Sequence, residues 1–273
     1  MYAKNVEKVL SLIDNGSKVL DVGGWARPFR RANYVIDSGP YETRGSADRK
    51  LTRGRAKLPP VQGGEQEWFT RDTWIRRDVC DREPWPFADK EFDFAICAQT
   101  LQYLRDPLWV CSEMIRVAKR GYLETTSRLA ESSRGIEPNQ VGWSHHRWFV
   151  TIADNHIYFM MKYHKVHSHW RLSLPATRFR QLPAESLYEW LFWDDSFAYS
   201  EVAIRPGPAI EKELEGYIRR VGAYPEWMLK ADRRFPRFSA WLGRKLAGLG
   251  PAGARPDETG RGSQGEAPGF ARQ

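Results

Sequence analysis

Apolar residues recur at Val6, Val9, Leu10 and Ile13, a spacing that predicts an amphipathic helix, and Asp14-Asn15-Gly16 supplies its stop. The apolar run at residues 18–22 predicts a buried strand, and Tyr34-Val35-Ile36-Asp37 a second. Both carry an acid near the end and run into turn formers, Gly23-Gly24 and Ser38-Gly39-Pro40. Residues 73–77 and 92–97 predict two further strands. Asp106-Pro107 is a cap followed by a first-turn proline, and Leu108, Cys111, Met114, Ile115 and Ala118 make one helical face that ends at Lys119-Arg120-Gly121. A fifth strand follows at residues 122–126. Strands and connectors alternating in this way predict an α/β fold: a doubly wound, mainly parallel sheet with right-handed crossovers and helices on both faces.

The second half reads differently. Residues 148–152 and 157–161 predict an antiparallel hairpin, turning at Ala153-Asp154-Asn155-His156. A short helix containing Leu187, Trp190 and Leu191 is expected next, then a strand over residues 197–204. Ile210, Leu214, Tyr217, Ile218 and Val221 form a helical stripe. The expected organisation is one domain over residues 1–205 with a hairpin insertion at about 147–162, a helical extension over 206–249, and a tail over 250–273. Glycine, proline and charge dominate that tail, whose only aromatic is Phe270, so it is expected to be disordered. Residues 44–67 show no apolar period and read as a long loop able to act as a lid.

At 273 residues, 41% of them hydrophobic, the chain is large enough to bury a full core. No apolar run approaches the roughly 20 residues of a membrane span, and residues 1–16 lack the pattern of a secretory signal; a cytoplasmic location is expected. Cys80, Cys97 and Cys111 show neither pairing nor metal-type spacing and are expected as reduced thiols. The net charge of +8 is uneven: Arg44, Arg49, Lys50, Arg53, Arg55 and Lys57 stand against Asp48, and a second cluster lies at residues 230–245. Such runs read as solvated surface or as attraction to an anionic substrate or membrane. Residues 227–246 mix aromatic and basic side chains, which suits packing on the domain or peripheral membrane contact near a lipid-linked acceptor. No recognition helix or aromatic-basic strand pattern points to nucleic acid.

The chemistry-bearing candidates lie at predicted strand ends. Lys18 to Pro28 reads KVLDVGGWARP, a strand opening into a glycine-containing loop. Asp37 follows Asp21 by sixteen residues, close to the spacing of a ribose-binding acid one unit later. Asp78-Val79 precedes WPFADKEFDFAIC at residues 85–97, and Ala98-Gln99-Thr100-Leu101-Gln102-Tyr103 follows it. Over roughly residues 1–127 this order resembles the class I S-adenosylmethionine-dependent methyltransferases. The resemblance implies that Asp21, Val22, Gly23, Gly24 and Trp25 form the loop at the methionine part of the cofactor. It further implies that Asp37 with Ser38 holds the ribose, that Asp78 and Val79 meet the adenine, and that Ala98 and Gln99 lie against the cofactor. Trp25 and Arg27 stand at the later glycine positions of the family loop, and Tyr103 where many relatives carry histidine.

Methyl transfer is an in-line displacement, so positioning can supply much of the catalysis. An oxygen acceptor also has to lose a proton, and His145 or His146 is the candidate base. His164, His167 and His169 lack a nearby cysteine or carboxylate, and no metal is expected. Asp194-Asp195 reads as a turn. The sequence therefore implies an S-adenosyl-L-methionine-dependent methyltransferase acting on a small-molecule, glycan or lipid-linked acceptor; the alternative is a non-catalytic binding or scaffold protein that keeps the fold. A dinucleotide oxidoreductase lacks its third glycine here.

Overall fold

In the computed structural model, the structure describes residues 1–45, 62–204, 207–222 and 224. The expected tail at 250–273 and the aromatic-basic segment at 227–246 lie outside the described residues, as does most of the 44–67 loop.

Helix α1 (Ala3–Leu12) precedes β1 (Val19–Val22) and β2 (Tyr34–Asp37), and β3 (Trp74–Arg76) and β4 (Phe94–Ala98) follow. Helix α2 (Pro107–Val117) leads to β5 (Arg120–Thr126), which runs into a one-turn helix α3 (Arg128–Glu131). Beyond it lie β6 (Trp148–Ala153), β7 (His156–Met161), the one-turn α4 (Ala176–Phe179), β8 (Tyr188–Asp194), β9 (Ala198–Glu201) and α5 (Pro208–Arg220). The main sheet has the order β3-β2-β1-β4-β5-β8, parallel except for β8, which runs antiparallel to β5. The second sheet is β6-β7-β9.

The predicted alternation of strands and helices holds only in part. The connections from β1 to β2 (residues 23–33) and from β3 to β4 (residues 77–93) are irregular turns. Aromatic side chains from these turns do the covering that crossover helices otherwise do. Phe29 and Ala32 join Val9 of α1 and Ile13 on one face, with Val19, Phe94 and Ile96. Trp85, Phe87 and Phe92 join Val110, Met114 and Val117 of α2 on the other face, with Leu20, Ala95 and Cys97. Successive residues of β1 and β4 thus feed opposite cores, as period-two strands buried on both faces must. Asp106 caps α2 as predicted, its side chain accepting the Trp109 N–H.

The helix expected around Leu187, Trp190 and Leu191 is instead β8, paired with β5 from Arg120↔Asp194 to Thr126↔Tyr188. The same residues satisfy a period of two, with Trp190 and Phe192 on the α1 face and Leu191 and Trp193 on the α2 face. An unpaired edge beside β5 and an aromatic-rich segment decide for the strand. The β6–β7 hairpin turns at Asp154 and Asn155, both at positive φ, as an asparagine-rich two-residue turn requires. Its Val150, Ile157 and Phe159 pack into the α2-side core.

Candidate active site

A cavity of about 800 Å³ opens at the carboxyl ends of the central strands, where the sheet order reverses between β1 and β4. Open α/β sheets place ligands at this switch point. Asp21, Gly23, Gly24, Trp25, Asp37, Ser38, Ala98 and Gln99 all line it, together with His145 and His146.

One wall is made mainly of backbone. The Gly23 N–H continues the β1–β2 ladder by donating to the Ile36 carbonyl at 2.9 Å, and Gly23 then turns at φ +77°. A Cβ there would collide with the Thr100 side chain, and one on Gly24 would lie 2.6 Å from Asp21 Oδ2. The loop closes when Arg27 donates to the Gly24 carbonyl at 2.9 Å and Phe29 N–H donates to Asp21 Oδ2 at 2.7 Å. Burial pushes the Asp21 pKa up to about 7, the Phe29 amide opposing and the nearby Asp37 charge adding to the rise. Asp37 accepts the Gly39 N–H at 2.6 Å and the Trp25 N–H at 3.1 Å, and burial raises its pKa against both bonds. A carboxylate offers about four acceptor sites, so Asp37 keeps capacity for two more donors. Trp25 holds φ +32° and is 54% exposed, its ring lying against Gly39 at the cavity rim.

The facing wall is made of side chains. The His146 ring lies between Trp143 (centroids 5.2 Å apart) and Tyr103 (6.3 Å), near-parallel to both, with His145 edge-on at 4.4 Å. His146 Nδ1 meets Oε1 of Glu131, a carboxylate with no exposed surface. Thr126 Oγ1 donates to the same oxygen at 2.8 Å, and Lys162 Nζ donates to Oε2 at 2.8 Å and to the Trp143 carbonyl at 2.9 Å. Burial works to raise the Glu131 pKa, but His146 and Lys162 outweigh it and hold the group below the usual carboxylate value. Burial pushes the Tyr103 phenol up to about 12, and burial with the His146 charge lowers His145.

The structure does not bring every expected residue to the cavity. Val22 is wholly buried in the α2-side core, and Asp78 and Val79 lie off the cavity lining. Asp78 is drawn away by an ion pair with Arg105 and by the Cys80 N–H, which it accepts at 2.9 Å; Arg105 also holds Asp81 at 2.9 Å. Val79 packs in the same core. His164 and His167 sit on a 3-10 turn, and His167 Nδ1 accepts the Val141 N–H at 3.1 Å. Among the described residues no three His, Cys, Asp or Glu side chains gather as a metal site. Asp195 turns at φ +58° between β8 and β9, as predicted.

Glu131, Lys162, Thr126 and Trp143 build this wall without a role expected from the sequence, whereas Gln102 belongs to the 98–103 segment that the sequence already set beside the candidate site. Lys162 left one trace, a charge closing the apolar run Ile157-Tyr158-Phe159-Met160-Met161. Nothing in the surroundings of Glu131 marks it.

Fold and cavity together define an open α/β protein with a cavity at its switch point. Residues 61–123 match the family model described as a methyltransferase domain. No curated protein is similar enough to match it. Among solved structures it is similar to an S-adenosylmethionine-dependent methyltransferase from Mesorhizobium loti (17% identity, 59% of this chain and 65% of that one, TM-score 0.31). It is also similar to a methyltransferase from Aquifex aeolicus (22%, 49% and 69%, TM-score 0.29) and to the [4+2]-cyclase SpnF (17%, 46% and 45%, TM-score 0.32). The chain spans about half the length of the first structures it matches. No helix among the described residues is long and apolar enough to cross a membrane.

Proposed function

We propose that this chain transfers a methyl group from S-adenosyl-L-methionine to a small-molecule, glycan or lipid-linked acceptor. The observation that carries the reading is one cavity with two unlike walls: an acid- and glycine-bearing loop on one side, and a histidine held by a buried carboxylate on the other. Three features suit the cofactor. Asp37 retains acceptor capacity for a vicinal diol. Asp21 and Asp37 make the loop wall favourable to a cation. Gln102 lines the cavity while its buried Oε1 has no hydrogen-bond partner, the state expected of an acceptor that waits for a ligand donor. When bound, the cofactor supplies an electrophilic methyl group; the chain's residues hold donor and acceptor in line and receive the acceptor's proton. The glycines let the backbone approach, Gln102 accepts from the ligand, and Trp143 and Tyr103 wall the acceptor end.

A second reading, a binding or scaffold protein, is favoured by Trp25, whose amide and ring both occupy the Asp37 end of the loop. Calorimetric titration with S-adenosylmethionine, its demethylated product and NAD separates the two. The methyltransferase reading expects the first two to bind and NAD not to. Asp37→Ala should weaken binding by about 10- to 100-fold, the worth of a hydrogen bond to a charged group, while Asp78→Ala leaves it nearly unchanged. Absence of binding at millimolar concentration overturns the reading, and binding without turnover favours the scaffold.

A further inference from the structure

We propose that Glu124 and Gln99 are positioning residues that fix which way the Gln102 amide faces, so that the cavity takes a ligand carrying an N–H or O–H at Gln102 and turns away an isostere that carries only a lone pair there. The geometry of three side chains carries this by itself; that the ligand is a methyl donor or acceptor rests on the methyltransferase reading.

Gln102 is 1% exposed and lines the cavity, and its Oε1 meets no donor among the described residues. Its other amide atom is engaged: Nε2 donates to Gln99 Oε1 at 3.3 Å. Gln99 Nε2 donates in turn to Oε1 of Glu124 at 2.9 Å. The three side chains form a row in which each N–H runs toward Glu124, and the oxygen left over belongs to the residue on the cavity lining. Glu124, which has no exposed surface, is built to end such a row. Its Oε2 accepts the Tyr2 N–H at 2.7 Å and the Tyr122 hydroxyl, whose own oxygen takes Asn5 Nδ2 at 2.8 Å. A backbone N–H cannot reverse, so an acceptor is required at Oε2 in every arrangement.

The backbone holds the row in place. Gln99 donates its N–H to the Glu124 carbonyl at 2.7 Å and sits at φ +58°, a conformation that a non-glycine residue keeps only where its neighbours enforce it. The Gln102 carbonyl accepts the Arg147 N–H at 2.8 Å. Neither amide turns over alone, because like groups would then face each other. The direction of the row matters to a ligand because the position is buried. An oxygen that meets a donor gains a hydrogen bond, whereas one that meets a second lone pair stays desolvated and unpaired. A site built to receive an N–H or O–H therefore discriminates against an analogue lacking it far more strongly than an apolar pocket discriminates by size. The donor belongs to the acceptor molecule or to the amino group of the cofactor, and the chemistry at Gln102 is the same for both.

The test uses the full chain with labelled glutamine amide carbons, the Gln102 signal being assigned by its loss in Gln102→Met. Indole and benzofuran are flat bicycles of nearly one shape, the first carrying N–H where the second carries oxygen. Indole should bind about 10-fold more tightly and move the Gln102 carbon, which benzofuran leaves in place. Glu124→Gln should invert the preference. Tyr2 and Tyr122 still require an oxygen at position 124, so the new amide group faces Gln99 with its N–H, both following amides turn over, and Gln102 offers an N–H to the ligand. Gln99→Met cuts the row at a half-buried residue and should make the two affinities nearly equal, a result that stands even where Glu124→Gln does not fold. S-adenosylhomocysteine, the demethylated cofactor, locates the donor. If the cofactor's amino group supplies it, saturation moves the Gln102 carbon and abolishes the preference for indole; if the acceptor supplies it, carbon and preference both stay. Equal affinities in the native chain, an undiminished preference for indole in Gln99→Met, or failure of indole to move the Gln102 carbon at millimolar concentration overturns the proposal. Failure of S-adenosylhomocysteine to bind removes the methyltransferase reading instead and leaves the comparison of the two bicycles to decide the role of Gln102.

Discussion

The two walls of the cavity are held by different physics. On the loop wall, Asp21 and Asp37 are fixed by backbone amides of Phe29, Trp25 and Gly39, all within a stretch of chain shorter than two turns of sheet and loop. On the facing wall, Glu131, His146, Lys162 and Thr126 hold one another by charge and hydrogen bonds across β5, α3, the approach to β6 and the end of β7. A wall made of amides survives the loss of a side chain, because the turns that present those amides remain. A wall made of paired buried charges depends on each member, because removing one leaves another without compensation.

That contrast can be broken most sharply at Glu131. Glu131→Ala leaves Lys162 buried and unpaired and should cost about 3–5 kcal/mol in urea unfolding. Asp37→Ala on the opposite wall should cost only about 1 kcal/mol, the worth of ordinary hydrogen bonds. Equal losses would contradict the distinction. The next effect concerns Asp21. Its folded pKa, raised by burial to about 7, lies above its ordinary value of 3.8. Its contribution to stability is therefore fully present below pH 3.8 and is lost as the pH rises through about 7, by a few kcal/mol at about 1.4 kcal/mol per unit. Asp21→Asn should flatten the melting temperature across that window and raise it at pH 8; a slope unchanged by the substitution would show that burial of this carboxyl carries no such cost. The smallest effect is at Trp25. A non-glycine residue in left-handed backbone costs about 1 kcal/mol, so Trp25→Gly should be near neutral in stability, relieved strain offsetting lost ring contact. Calorimetry then shows whether the ring shields Asp37: cofactor affinity rises on its removal if it does, and falls if the ring is part of the binding surface.

The loop wall was legible because its signals are local. A strand carrying an acid, two glycines and a second acid sixteen residues later are read along the chain, and they meet in space because β1 and β2 pair in register, Asp21↔Val35 and Val22↔Ile36. Asp78 was placed by its order along the chain alone, and in the structure its carboxylate pairs with Arg105, twenty-seven residues on, off the cavity lining. His145 and His146 were candidates by residue type alone, and only the fold separates the exposed His145 from the His146 ring held at Glu131.

By itself the sequence determined strands β1 to β7, the amphipathic helices α1, α2 and α5, the hairpin turn and the acid–glycine loop, since each depends on spacing within a few residues. Tertiary structure alone decided that residues 188–194 are an edge strand, that turns rather than helices cover much of the sheet, and that Glu131 and Lys162 meet behind His146. Those outcomes depend on which surfaces are left uncovered and which charges are brought together far from water, and neither is written in the local order of residues.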